Sequence, residues 1–253
     1  MLSVLIRAKN EEKNIERAIR SVQGVADQVV VLDSGSTDGT VELAQKMGAE
    51  VFFREWTNYA DQINYGVQLC KGEWVFVLDA DEELSEELRE SVMRALKDPE
   101  CDVYMVCRRT YYMGKFLKHA WYPEWRVRLF RKGSVKFEGV LHERAVFEGR
   151  ACKLKGDLYH YSYRSLWDQY SKTINYAMLM AKDLHEKGVR FSVAKLMFNP
   201  LWAFLKVYVV KGGFLDGMQG FSVAVSSGIY TFLKYLFLWE LELKERKGGD
   251  LWR

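Results

Sequence analysis

Asp27-Gln-Val-Val-Val-Leu-Asp33 runs directly into Ser34-Gly-Ser-Thr-Asp-Gly-Thr40. An apolar run that ends in Asp reads as a buried strand. The small hydroxylic and Gly residues after it read as a loop, and Thr40 to Met47 reads as a helix stopped by Gly48. The same pattern lies on either side. Upstream, Leu2-Ser-Val-Leu-Ile6 is a short strand, and Asn10-Glu-Glu opens a helix to about Val22 with Ile15, Ala18, Ile19 and Val22 on one face. Downstream, Glu50-Val-Phe-Phe53 is a third strand, and Tyr59 to Cys70 is a helix ended by Lys71-Gly72. Glu73-Trp-Val-Phe-Val-Leu-Asp79 is a fourth strand. Ser85 then caps a helix to Leu96, with Glu86, Glu87 and Glu90 in its first turns. This alternation predicts an α/β fold with a parallel sheet covered by helices on both faces. Ligands in such sheets sit at the carboxyl ends of strands. The polar residues at those ends are Asn10-Glu11, Asp33, and Asp79 with Asp81.

From Asp102 the pattern changes. Val103 to Arg108 and Val127 to Arg131 read as strands, separated by an aromatic, basic stretch from Tyr111 to Trp125. Val135 to Glu148 suggests further short strands, and beyond Leu166 the chain reads as helical. The 253 residues are 49% hydrophobic and 28% charged, with only 3 Pro, which excludes disordered and collagen-like classes. Cys70, Cys101, Cys107 and Cys152 form no C-x-x-C pair, so neither a disulfide framework nor a structural zinc is expected, and a reducing compartment is the default. The net charge of +3 hides an asymmetry. Residues 1–150 carry 22 Lys/Arg against 25 Asp/Glu, while residues 151–253 carry 15 against 9. The start, Met1-Leu-Ser-Val-Leu-Ile-Arg7, does not read as a signal peptide, because its apolar run is short and charges follow at once.

Asp79-Ala-Asp81 leaves a buried strand directly. Two carboxylates so placed suit a divalent cation and the phosphate oxygens it carries; an acidic solvated turn fits the same residues. The loop after Asp33 suits a nucleotide pocket, with Asp33 accepting from a base N–H. It suits equally a turn capped by Asp38 or Thr37. It is neither a Walker A loop nor a G-x-G-x-x-G, which argues against P-loop and classical dinucleotide folds.

Three matches in order resemble family 2 glycosyltransferases: Ile6-Arg-Ala-Lys-Asn-Glu11, Val31-Leu-Asp-Ser-Gly-Ser-Thr-Asp-Gly-Thr40 and Val77-Leu-Asp-Ala-Asp81. Arg128-Leu-Phe-Arg-Lys132 and Gly139-Val-Leu-His-Glu143 are similar to the subgroup of lipopolysaccharide-core β-1,4-glucosyltransferases. The resemblance implies a GT-A fold over residues 1–165, with a nucleotide-sugar half (1–100) and an acceptor half (101–165). A helical, basic and apolar region (166–253) follows. It also implies roles. Asp33 and Glu11 would hold the uracil-ribose end of a UDP-sugar, with Ala8, Asn10 and Ser34 nearby. Asp79 and Ala80 would face the ribose or sugar. Asp81 would bind Mg²⁺ or Mn²⁺; apart from the resemblance, His160 in Leu158-Tyr-His-Tyr-Ser-Tyr163 suits a further metal or diphosphate contact. Gln62 and Asn64 lie where many members carry an Arg-Asn pair beside the nucleotide, and here the Arg is missing.

Inverting transfer needs a general base at the acceptor hydroxyl. The subgroup resemblance puts it at Glu143, with Glu138 and Glu124 as fallbacks. His160 reads equally as a packed core residue. Arg126 and Arg128 fall on one face of a strand and, with Arg131, suit a diphosphate or an acidic acceptor; plain surface charge explains them too. Trp121, Tyr122 and Trp125 suit sugar stacking or ordinary core. A near-neutral total and the lack of a recognised motif argue against nucleic acid.

Phe191 to Lys211 is apolar but carries Lys195, Pro200 and Lys206, and so falls short of a membrane-spanning helix. Phe221 to Trp239 comes close, with Lys234 near one end. Lysines interleaved with Trp202, Tyr208, Tyr235 and Trp239 suit helices lying in the interface of an anionic membrane. A helical subdomain that packs on the catalytic domain or builds an oligomer is the alternative. The expected protein is a metal-dependent inverting hexosyltransferase on the inner face of the cytoplasmic membrane. It would move glucose from a UDP-sugar to a glycolipid such as the lipopolysaccharide inner core. Alternatives are a capsule, exopolysaccharide or protein acceptor, or a silent nucleotide-sugar-binding or membrane-scaffold protein.

Overall fold

A computed structural model describes residues 1–139, 144–249 and 251. The chain divides into two compact units, one comprising Met1–Thr110 and Pro123–Tyr161, the other Tyr111–Tyr122 and Ser162–Arg253.

The first unit opens with β1 (Leu2–Ala8), α1 (Ile15–Val22), β2 (Gln28–Asp33), α2 (Thr40–Lys46), β3 (Glu50–Phe53), α3 (Tyr59–Leu69) and β4 (Trp74–Asp79). It continues with β5 (Glu82–Leu84), α4 (Glu86–Lys97) and β6 (Val103–Tyr112), whose last two residues pair with β7 (Lys115–Phe116) in the second unit. Then come β8 (Glu124–Arg131), β9 (Val135–Glu138), β10 (Arg144–Phe147) and β11 (Ala151–His160). The main sheet has the order β3-β2-β1-β4-β8-β6-β11-β5, and β9 and β10 form a separate hairpin. Strands β3, β2, β1 and β4 are parallel, as the alternation predicted. Strand β8 then enters antiparallel between β4 and β6. This mixed sheet flanked by helices is the GT-A-like fold.

Alternation explains the two-sided core. Val4, Ile6, Val31, Phe76 and Leu78 pack on one face with α1 and α4, while Leu5, Val30, Leu32, Val75 and Val77 pack on the other with Ile63 of α3. Ile15, Ala18, Ile19 and Val22, the expected inner face of α1, are all buried. Each fully buried Ile or Leu contributes about 1.5–3 kcal/mol. Ser85 caps α4 through Leu88 N–H as expected, at 3.2 Å.

Strand β11 was not legible. Its register slips between Lys153 and Asp157, and Gly156 there has φ +87°, with the backbone N of Leu88 only 2.3 Å from where a Cβ would stand. Only glycine admits this contact. The bulge locks the start of α4 to β11 through Ser85 N–H to Asp157 O at 3.0 Å and Asp157 N–H to Ser85 Oγ at 3.1 Å.

One expectation is corrected here. Cys101 and Cys152 form a disulfide, their Cα atoms 6.0 Å apart. They sit 51 residues apart in sequence, and only the β6–β11 pairing, which aligns Ala151 with Val103, brings them together. Cys70 and Cys107 are buried and outside the disulfide.

The second unit contains α5 (Leu166–Glu186), α6 (Val193–Leu205), a π-helical segment Lys206–Val210, a 3-10 turn Gly213–Asp216 and α7 (Gly217–Lys247). Its core joins Tyr112, Leu117, Ala120, Val207, Val223 and Ala224. The buried Asp216 carboxylate accepts from Lys118, His119 and Ala120 N–H at 2.9–3.0 Å, fixing the segment after β7. Helix α6 buries none of its residues; Phe198 is 69% and Trp202 59% exposed. By length and composition, Val193–Val210 and Gly213–Lys247 are each apolar enough to cross a membrane. This corrects the reading of the first stretch: its two lysines leave an 18-residue window of mean hydropathy 1.3.

Candidate nucleotide-sugar site

The carboxyl ends of β1, β2 and β4 lie side by side, with Ala8 opposite Asp33 and Arg7 opposite Asp79. The backbone stitches the exits together: Ser34 N–H donates to Ala8 O at 3.0 Å, and Ala80 N–H to Arg7 O at 3.1 Å. Asp33 is buried and orders its own loop. Its Oδ2 accepts from Gly35 and Ser36 N–H at 2.9 Å, and its Oδ1 accepts from the Ser36 hydroxyl. A carboxylate offers about four acceptor positions, so one remains for a ligand N–H.

The loops after β1 and β2 brace each other. Asn10, at φ 56°, donates its N–H to Ser36 Oγ at 2.8 Å and accepts from Thr37 N–H at 2.8 Å. Asn tolerates this left-handed backbone better than most residues. Glu11 N–H donates to Thr40 Oγ1 at 2.8 Å, and the Glu11 carboxylate accepts from Asn14 Nδ2 at 2.6 Å. Asp38 accepts from Thr40 and from Glu12 N–H, bonds that tie the turn, whereas the N-cap of α2 is Gly39, so neither Asp38 nor Thr37 is the N-cap residue expected of them.

Asp79 is held between two guanidiniums. Arg7 Nη2 donates to Oδ1, and Arg128 Nη2 to Oδ2 at 2.8 Å. The same Arg128 nitrogen donates to Glu82 Oε1 at 2.7 Å, and Glu82 Oε2 accepts from Asp79 N–H at 3.0 Å. Arg108 lies 3.6 Å from Glu82 and binds Glu124 through Nε and Nη2 at 2.8 and 2.9 Å. Burial works to raise the Asp79 carboxyl, but Arg7 and Arg128 outweigh it and hold it well below the ordinary range. Burial dominates at the wholly buried Glu82 and pushes it up. Glu124, a fallback base, also faces desolvation, yet Arg108 and Arg126 bring it below the usual carboxylate range, which weakens it as a proton acceptor.

Asp81 and His160 come together across the β5–β11 edge, Oδ2 to Nε2 at 3.4 Å, with side chains 24% and 14% exposed. Burial would raise Asp81, and His160 overrides it, so this carboxyl too sits below its ordinary value. An oxygen and an imidazole nitrogen at this separation, both partly exposed, fit one divalent cation whose remaining shell comes from a ligand. Among the described residues no group of three or more His, Cys, Asp or Glu gathers to hold a metal.

The remaining candidates fall in different places. Gln62 is buried and donates to Glu55 O at 2.8 Å. Asn64 bridges both backbone groups of Phe137, at 2.8 and 3.0 Å, and so pins β9. Trp121 packs on Tyr112 and Tyr163 in the second unit. Glu138 pairs with Lys136 at 3.1 Å. Glu143 and His142 lie outside the described residues. Sequence reading missed Arg7, Arg108 and Glu82 as site-organising residues. The signal was available, since an Arg inside the apolar run of β1 requires a buried anion.

Residues 3–153 match the profile described as Glycosyl transferase family 2. An uncharacterized glycosyltransferase of Rickettsia typhi is 33% identical, covering 97% of this chain and 89% of its own length. A lipopolysaccharide core biosynthesis glycosyltransferase, LpsC, of Rhizobium meliloti is 32% identical over 98% of this chain and 96% of its own. Among solved structures, glucosyl-3-phosphoglycerate synthase of Mycobacterium tuberculosis, with Mn²⁺ and UDP, aligns with 28% identity and TM-score 0.38 over 44% of each chain.

Proposed function

Because the chain belongs to glycosyl transferase family 2, we propose that it moves glucose from a UDP-sugar to a membrane-held glycolipid of the lipopolysaccharide-core type, with inversion. The observation that carries this reading is the Asp81–His160 pair standing at the exit of β4, beside the Asp33 loop. The similarity to LpsC over nearly both whole chains supports the acceptor class.

Asp33 uses its remaining acceptor position for a uracil N–H, and the braced loop of Asn10, Glu11 and Ser34 shapes the ribose pocket beside Ala8. Asp79, kept ionised by Arg7 and Arg128, and Ala80 hold the turn that presents Asp81. Gln62 and Asn64 support the neighbouring wall. A cation, Mn²⁺ or Mg²⁺, would be held by Asp81 and His160 and would neutralise charge on the departing diphosphate. Glu143 removes the acceptor hydroxyl proton as the sugar carbon is attacked.

The protein works at the cytoplasmic face of the membrane. The exposed apolar face of α6 supports this, as does the absence of Asp and Glu between Lys187 and Leu215, a span with Arg190, Lys195, Lys206 and Lys211. The 1–165 and 166–253 division of labour belongs to the same proposal.

The test is transfer from UDP-glucose to a lipopolysaccharide-core acceptor. Glu143→Gln is expected to keep UDP binding and to lose transfer by about 10²–10⁴-fold. Transfer at the native rate would remove Glu143 from the role. For the membrane, Phe198→Glu/Trp202→Glu is expected to abolish flotation with anionic vesicles, and unchanged flotation would refute that contact.

A further inference from the structure

A cleft of about 270 Å³ opens within the first unit, between β8, β6, α3 and the β9–β10 hairpin. Trp125, Phe137 and Phe147 supply aromatic wall, and Arg126, Arg128 and Arg144 also line it. The volume lies just below the usual 300–1,000 Å³ of small-molecule pockets, enough for one sugar ring with a substituent.

Its charge is unbalanced. Arg7, Asp79, Arg128, Glu82, Arg108, Glu124 and Arg126 form one connected run of ion pairs. Four guanidiniums there face three carboxylates. Arg108 and Arg126 share Glu124, Arg126 through Nε and Nη2 at 3.1 and 2.7 Å, so the run as a whole keeps one more guanidinium than carboxylates. Arg126 is the open end of the run, its side chain 42% exposed. Arg144 is exposed, with no ion pair among the described residues. Lys153 adds a further cation, its Nζ 4.4 Å from the Trp125 ring centroid. Guanidinium forks bind phosphate and carboxylate with two parallel hydrogen bonds, and aromatic walls suit the apolar faces of a sugar.

We propose that this cleft is a subsite for an anionic group, phosphate or carboxylate, carried on a saccharide, with Arg126 and Arg144 as its cationic contacts. Its assignment to the acceptor rests on the glycosyltransferase reading; the binding itself does not. Asn64 acts as a positioning residue, since it holds the backbone of Phe137 at the cleft wall.

The experiment titrates the full chain, without donor, with glucose 6-phosphate, glucuronate and glucose, followed by calorimetry. At least one anionic sugar is expected to bind ten or more times more tightly than glucose, and which one does so separates phosphate from carboxylate. Arg126→Ala and Arg144→Ala are each expected to weaken that binding at least fivefold, with Arg144→Lys restoring part of it. In the wild-type protein, saturating UDP with Mn²⁺ is expected to leave the affinity within twofold. Equal binding of glucose, no binding of either anionic sugar, indifference to both substitutions, or displacement by UDP would each overturn the proposal. Loss of transfer with intact anionic-sugar binding would instead refute the catalytic reading and leave the subsite standing.

Discussion

Arg128→Ala removes the one side chain that holds both Asp79 and Glu82. Arg128 is 5% exposed, and its Nη2 donates to Asp79 at 2.8 Å and to Glu82 at 2.7 Å. After truncation Glu82 is left wholly buried with Arg108 at 3.6 Å, and Asp79 keeps Arg7 as its ion-pair partner among the described residues, with Arg108 acting from farther off. Breaking a buried pair from one side costs about 3–5 kcal/mol, which lowers Tm by about 6–20 °C in a chain of this size. Glu82→Gln removes the charge and keeps the shape, but its single acceptor oxygen serves either Arg128 or Asp79 N–H, so its cost is expected at about 1–3 kcal/mol. The pair separates by pH as well. Asp79, with its carboxyl lowered, contributes stability above its unfolded value, and that contribution fades as pH falls below about 4. Glu82 is raised, so it favours folding while protonated, and that contribution is lost as pH rises through its folded value. Glu82→Gln is therefore expected to compare better with wild type at pH 7 than at pH 4. Thermal unfolding followed by circular dichroism across pH 3–8 measures all of this. A Tm loss under about 2 °C for Arg128→Ala would refute the claim that the network is a structural hub.

Asp81→Ala and His160→Ala are each expected to weaken Mn²⁺-dependent UDP binding by about tenfold or more, because on the proposed reading each would supply a protein donor to the cation. The imidazole donor also favours Mn²⁺ over the harder Mg²⁺; UDP affinity that ignores both substitutions and both metals would refute the site. Reducing Cys101–Cys152, which closes a loop of 51 residues, is expected to lower stability by about 4 kcal/mol; an unchanged Tm in dithiothreitol would show that the bond contributes nothing.

What was legible in the sequence was what has a short period. Strands β1 to β4 and their helices declare themselves through apolar runs and caps, and the strand ends then name Asp33, Asp79 and Asp81 directly. Strand β11 escaped because Cys152-Lys-Leu-Lys-Gly156 alternates weakly and breaks at a bulge. With β11 unseen, its pairing with β6 was unseen too, and so was the disulfide. His160 was named as a further metal or diphosphate contact without the strand that carries it, and its distance from Asp81 depends on a contact 79 residues away in sequence.

The charged network gives a more general lesson. Arg7 and Arg128 both sit in strands where neighbours such as Ile6, Leu129 and Phe130 are fully buried. A guanidinium at such a position cannot stand without an anion. Asp33 at the end of β2 and Asp79 at the end of β4 fit that need equally in the sequence. The structure assigns Arg7 and Arg128 to Asp79, and that pairing changes the meaning of the D-x-D motif. Its first carboxylate is an anion clamped by two arginines, while its second, Asp81, faces His160. The two aspartates are thus divided by their partners, one held in the charged network and one left, on the proposed reading, for the cation. Exchanging Asp79 for Asn should disturb folding before metal binding, whereas Asp81→Asn should do the reverse.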